Sequence, residues 1–207
     1  MKDIVVNKIM FRIIDNNKSI SKVKIEEIKY GLYGLYGLIT KSLVIFLIAF
    51  ILNIYKEFLI FIFFYGILRS VGYGCHAKTN AQCWIFSTVF LLGIPYLFSN
   101  INLCFNIKIV FWIILFINFT IFCPADTEKR PMISKKRKLK FKISIILISI
   151  LYLFIIKYNL FNLSNMIIAS MFLEGILVNP LGYILMGQKV RFKLSDINLF
   201  KQKEKEV

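Results

Sequence analysis

The feature that most constrains this chain is a set of apolar runs separated by short polar breaks. They lie at about residues 32–54, 58–68, 83–98, 103–123, 143–156 and 163–186. A helix that crosses a bilayer needs about 20 predominantly apolar residues. Most of these runs approach or reach that length. The second, even extended to Val71, is short, and crosses only if Tyr55 and Arg69 snorkel to the interfaces or the bilayer thins locally. Lys108, inside the fourth run, also snorkels to the near interface. The pattern predicts an all-α fold, a polytopic transmembrane helical bundle of about six spans. Composition agrees: 58% of the 207 residues are hydrophobic, against roughly 45–50% in soluble domains.

The chain ahead of the first run is different. Ile4, Val5, Ile9, Ile13 and Ile14 recur at helical spacing, with Lys2, Lys8, Arg12 and Lys18 between them. Asn16-Asn17-Lys18-Ser19 interrupts the pattern, and a second piece restarts it from Ser21 to Tyr30. This predicts an N-terminal amphipathic interfacial segment of one or two helices over 1–30, a membrane-embedded unit over 31–187 and a charged tail over 188–207. Met1 to Arg12, with Asp3, Lys8 and Arg12, leads into no cleavable apolar core, so no signal peptide is expected. Gly31, Gly34 and Gly37 form a narrow strip of small residues at the start of the first span. Small residues let helix backbones approach closely in lipid, which makes the strip a packing surface and a homodimer reasonable.

The formal charge of +16 assigns orientation rather than a nucleic-acid partner, since no soluble module is present to carry one. Cytoplasmic segments of membrane proteins are enriched in Lys and Arg. With both termini inside, the inner segments 1–41, 69–83, 124–142 and 188–207 hold 24 of the 27 Lys and Arg residues. The chain is thus expected to be a multi-pass protein of the cell membrane with cytoplasmic termini, contacting anionic lipid through these residues.

The polar gap between the second and third runs, from Gly72 to Cys83, holds the sole histidine, His76, and two of the four cysteines, Cys75 and Cys83. A thiolate is a good nucleophile, and an imidazolium or a helix N-terminus lowers the thiol pKa from about 8.5. Thr79 or Asn80 can cap the helix that follows, which places Cys83 in its first turn at the positive end of the dipole. Seven residues along a straight helix span roughly 10.5 Å, too far for a hydrogen bond. His76 reaches Cys83 only if the chain bends between them, and Gly72 and Gly74 supply the freedom. The alternative is that both are packing or interface residues. Cys75 is the rival nucleophile, ranked lower because adjacent side chains usually diverge. Cys104 and Cys123 read as membrane packing residues. No CxxC pair or ligand spacing supports a metal site, and no cofactor is expected. Asp126 and Glu128, in the loop after the fourth run, are acidic candidates to support His76, with a loop role as the alternative. Glu174, inside the sixth run, is expensive in lipid unless paired or near water, and its expected role is to partner a polar group on another span.

These residues resemble a known family. Arg69, then Gly74-Cys75-His76-Ala77-Lys78-Thr79, then Cys83, followed after a later span by Pro124-Ala125-Asp126-Thr127-Glu128-Lys129-Arg130-Pro131, is similar to the motif order of the accessory gene regulator protein B family of Gram-positive bacteria. One departure is Tyr73, where that family usually has the first glycine of a Gly-Gly pair. The resemblance implies a membrane cysteine endopeptidase that acts on a quorum-sensing propeptide, with Cys83 as nucleophile and His76 as base. It also implies an acyl-enzyme thioester and cyclisation of the product to a thiolactone or lactone. The family's propeptide has an amphipathic N-terminal helix and an acidic tail. The basic cytoplasmic loop over 124–142, with Lys135, Lys136, Arg137 and Lys138, and the amphipathic segment 1–29 are suited to bind those parts. The competing expectations are a small transporter or peptide exporter component, with Glu174 and the glycine strip lining a path, and a sensor or membrane scaffold.

Overall fold

The computed structural model describes residues 2–16, 20–75, 77–125, 134–158 and 163–188. The described residues form eight helices and no strand. They divide into two compact units, Met1–Ile51 and Leu52–Val207.

The first unit holds α1 (Lys2–Asn16) and α2 (Lys22–Ile51). The amphipathic α1 packs on α2, where Tyr33 donates a 2.8 Å hydrogen bond from its hydroxyl to Asp3 Oδ1 and Lys2 Nζ lies 4.6 Å from the Tyr33 ring centre. The second amphipathic piece and the first span, expected as separate elements, are one helix of 30 residues. The reason is local. Between Lys22 and Ile51 there is no proline, and each glycine in a helix costs only about 1 kcal/mol, which the surrounding Leu, Ile and Tyr residues offset. A Cβ added to Gly31, Gly34 or Gly37 would meet nothing within 4 Å, so the strip lies open along α2. The helix ends in a turn at Asn53, whose φ of 56° lies in the left-handed region that asparagine tolerates. Tyr55, Lys56 and Glu57, expected as a polar turn, instead start the next helix.

The second unit comprises α3 (Tyr55–Gly72), α4 (Asn80–Asn100), α5 (Phe105–Phe122), α6 (Lys135–Lys157), α7 (Ser164–Val178) and α8 (Pro180–Leu185). Its axis is α7, on which α3, α4, α5 and α6 all pack. Twelve of the 15 residues of α7 are buried, as required of a helix that is apolar on every side. Its small residues permit close approach: a Cβ on Gly175 would stand 2.8 Å from Leu115 Cδ2. In lipid, helices associate through packing and interhelical hydrogen bonds rather than through the hydrophobic effect. Here Tyr152 donates to the Phe64 carbonyl at 2.9 Å and Trp112 Nε1 to the Ser149 carbonyl at 2.9 Å, tying α6 to α3 and α5. Leu147, Leu151, Ile113, Ile117, Ile85 and Val89 are exposed, the surface expected to face acyl chains.

Four described helices, α2, α4, α5 and α6, are long and apolar enough to cross a membrane. The remaining two expected runs are helical but differ. The 18 residues of α3 carry Lys56, Glu57 and Arg69 at their two ends. The sixth run is broken: α7 stops at Val178 and α8 starts at Pro180. Proline lacks the N–H that would continue the ladder and drives the preceding residue out of helical conformation. Asn179 accordingly has ψ 150° and accepts from the Leu181 N–H at 3.0 Å, capping α8.

The basic segment at 135–142 is not a loop. It forms the first two turns of α6. Lys and Arg are good helix formers, and their long stems let a helix run out through the interface while the charges stay in water. Lys142 departs further from a solvated loop residue, being only 3% exposed.

Candidate functional site

The site is built where α3 ends. Three features fix that end. Gly72, the last residue of α3, leaves no room for a side chain, because Glu174 Oε1 occupies the place of a Cβ and Ile145 Cδ1 would lie 3.2 Å away. Tyr73 has φ 68° and ψ −69°, and the Gly74 N–H bonds back to the Gly72 carbonyl at 3.1 Å. That is a γ-turn, an uncommon and strained reversal. Gly74 follows with φ +59°. The chain therefore turns sharply out of α3, as the two glycines led one to expect. The turn is centred on the one residue of the three that is not glycine.

Cys75 is then pinned from both sides. Its N–H donates to the Leu177 carbonyl of α7 at 2.8 Å, and its carbonyl accepts from Arg69 Nη2 at 2.7 Å. Arg69 Nη1 lies 3.5 Å from Glu174 Oε2. The Ala125 N–H, just past α5, also bonds to the Gly72 carbonyl at 3.0 Å. Cys75 is 1% exposed. Burial pushes its thiol up to about 11, although the Arg69 guanidinium pulls the other way. A buried thiol held protonated is a poor nucleophile, which supports its lower rank beside Cys83.

His76 lies outside the described residues, as do Asp126 and Glu128. Beyond His76, Thr79 caps α4 with a reciprocal pair of bonds. Its hydroxyl accepts from the Gln82 N–H at 3.2 Å, and its own N–H donates to Gln82 Oε1 at 3.3 Å. The Cys83 N–H closes the first helical turn on the Thr79 carbonyl at 3.0 Å. Cys83 therefore stands in the first turn of α4, as the cap signal predicts, at the positive end of the helix dipole. It is half-buried, and its sulfur lies 4.0 Å from Ser87 Oγ.

The basic turns of α6 touch this loop. Arg137 Nη2 lies 3.4 Å from the Tyr73 hydroxyl, and the Tyr73 and Phe141 rings meet edge-on at 5.0 Å. Lys135, Lys136 and Arg137 are exposed, and Lys138 is half-buried. Of the sequence-derived residues, the fold thus brings together Arg69, Gly74 and the Arg137 face of the basic segment, with Cys83 at the next helix start. Glu174 finds the interhelical polar partner expected of it, and that partner is Arg69. No group of three or more His, Cys, Asp or Glu residues able to hold a metal ion occurs among the described residues.

The family described as accessory gene regulator B matches residues 6–178. Similar proteins include a putative AgrB-like protein of Clostridium acetobutylicum, 27% identical over 175 residues, covering 82% of this chain and 81% of that protein. A putative AgrB-like protein of Lactiplantibacillus plantarum is 28% identical over 176 residues, covering 83% and 86%. The accessory gene regulator protein B of Staphylococcus aureus is 27% identical over 168 residues, covering 81% and 87%. No solved structure matches.

Proposed function

This chain belongs to the accessory gene regulator B family, and on that premise we propose that it is a membrane-embedded cysteine endopeptidase that cuts a quorum-sensing propeptide. The observation that carries the reading is the placement of Cys83 in the capped first turn of α4, at the positive end of the helix dipole. His76 takes the proton from the Cys83 thiol. The sulfur attacks the scissile carbonyl, and a tetrahedral adduct forms. Its collapse breaks the C–N bond, and His76 returns the proton to the leaving amine. The N-terminal part of the propeptide is left as a thioester on Cys83. An internal Cys or Ser of the peptide then attacks that acyl group and closes a thiolactone or lactone, freeing the Cys83 thiol. A thioester keeps its acyl-transfer potential, so ring closure competes with hydrolysis when water is restricted, as at a membrane interface.

The orientation we propose places both termini and the His76–Cys83 segment on the cytoplasmic side, supported by the distribution of Lys and Arg. The test of the mechanism is capture of the intermediate. Membranes containing the protein are mixed with propeptide and quenched in acid within one turnover. Mass spectrometry should then find the N-terminal propeptide fragment on the peptide that contains Cys83, labile to hydroxylamine. Cleavage with no such adduct at any quench time would sink the covalent mechanism.

Substrate docking is a second part of the reading. Lys135, Lys136 and Arg137 form an exposed cationic helix end that touches the site loop through Tyr73, a suitable seat for the propeptide's acidic tail. The amphipathic α1 suits its amphipathic helix and anionic lipid. Lys135→Gln with Lys136→Gln should raise KM about tenfold and weaken the salt dependence of KM, with kcat nearly unchanged. Arg137 is kept because it holds Tyr73. Unaltered cleavage at limiting propeptide would remove the docking role.

A further inference from the structure

Glu174 is fully enclosed in α7, with 0% exposure. A carboxylate there is costly to hold, and packing alone would be served as well by an apolar side chain. Its partners show what it is for. The ion pair itself is long, one contact of 3.5 Å between Oε2 and Arg69 Nη1. Oε1 has no hydrogen-bond partner among the described residues. A buried pair of this geometry is weak support for stability, because desolvation of both charges offsets their attraction. The short bond lies one step further on, from Arg69 Nη2 to the Cys75 carbonyl at 2.7 Å. The Cys75 N–H is held by the Leu177 carbonyl, one turn along α7 from Glu174. Both backbone polar groups of Cys75 are thus fixed from α7, one directly and one through Arg69. Gly72 and Gly74 are the positions where a Cβ would collide with Glu174 and Arg69 respectively. Two glycines, an arginine, a buried glutamate and a γ-turn all converge on the single residue that precedes His76.

We propose that Glu174 is a positioning residue for the reaction: through Arg69 it holds the Cys75 carbonyl, and with it the backbone immediately ahead of His76. This rests on His76 and Cys83 being the reacting pair. Glu174 orients the guanidinium so that Nη2 points at the loop. Without the carboxylate the arginine is free to turn toward the interface, and the carbonyl loses its donor.

The test separates positioning from stability. Glu174→Gln is isosteric and keeps an oxygen for Arg69 Nη1 but removes the charge. It should lower kcat for propeptide cleavage about tenfold with KM within about twofold. The double variant Arg69→Met with Glu174→Leu replaces the buried pair by apolar side chains, a change that is often neutral for stability. It should accumulate and melt like the parent yet lose about 100-fold in kcat at unchanged KM. A smaller loss of kcat in Glu174→Gln than in the double variant, both at unchanged KM, supports the orienting role. A double variant that folds and cleaves at the parental kcat overturns it, as does a loss confined to KM in Glu174→Gln. Cys83→Ala runs alongside. If Cys83→Ala is inactive while both Glu174 variants keep parental kcat, only the positioning role falls. If Cys83→Ala still cleaves, the reacting pair itself is wrong and this proposal falls with it.

Discussion

Cys83→Ala is expected to lower kcat/KM for propeptide cleavage by at least about 10³-fold while leaving the amount and stability of the membrane protein nearly unchanged. The two halves of that expectation come from different observations. Cys83 is only half-buried, and its backbone bond to Thr79 does not depend on the side chain. Loss of one sulfur at a helix start therefore costs little packing. Its chemical loss is complete, because alanine offers no atom to form the acyl-enzyme. Cys83→Ser gives a finer reading. A hydroxyl in the same turn gains the same dipole, but its pKa is far above that of a thiol, so activity should remain close to that of the alanine variant. Cys75→Ala should behave in the opposite sense. Cys75 is a core residue, so its truncation acts through packing, with a stability loss on the order of 1 kcal/mol and most cleavage retained in the protein that folds. Coexpression of each variant with the propeptide, followed by mass spectrometry of the peptide products, distinguishes them. Parental processing by Cys83→Ala would end the peptidase assignment.

What the sequence makes legible here follows from how locally each signal is encoded. Apolar runs specify helices in lipid regardless of partners, and all six are helical in the structure. The cap of α4 is equally local. Thr79-Asn80-Ala81-Gln82 is a capping box, and its pair of bonds is present. Helix extents are harder. The residues at 135–142 look like a loop because they are charged, yet charge does not oppose helix formation, and α6 simply continues through them. The same reasoning joins 22–30 to the first span in α2. The break at Asn179-Pro180 has a local signal that the length of the apolar run obscures. Long-range pairing is the least legible. A carboxylate in an apolar run announces that a polar partner exists. Only the fold shows that the partner of Glu174 is Arg69, 105 positions away. Tyr73 is the instructive case. Nothing in a tyrosine signals φ 68°, but the resemblance implies a glycine there, and the backbone shows why glycine suits it.

Gly74→Ala carries the second large expected effect, a fall in kcat of about 100-fold with a modest loss of stability. Two separate costs combine. At φ +59° an L-residue is disfavoured by roughly 1–2 kcal/mol. The new Cβ would also collide with Arg69 Nη1 and stand 3.0 Å from the Leu177 carbonyl oxygen. One of these neighbours has to give. Leu177 is backbone in a helix with 12 of its 15 residues buried, so it stays. Arg69, 20% exposed and on a flexible stem, moves instead. Its 2.7 Å bond to the Cys75 carbonyl is then lost, and the segment leading into His76 loses one of its two anchors. The alanine variant should therefore share the signature of the Arg69 and Glu174 variants, a lower kcat at nearly constant KM. Tyr73→Gly is the matched control. Glycine removes the strain of the γ-turn but gives up the ring contact with Phe141 and the Arg137 bond. These effects oppose each other, each about 1 kcal/mol, so stability and cleavage should stay near parental values. If Gly74→Ala cleaves like the parent while Tyr73→Gly does not, the loop is held by the contact of the Tyr73 side chain with α6 and not by Arg69, paired to Glu174 of α7.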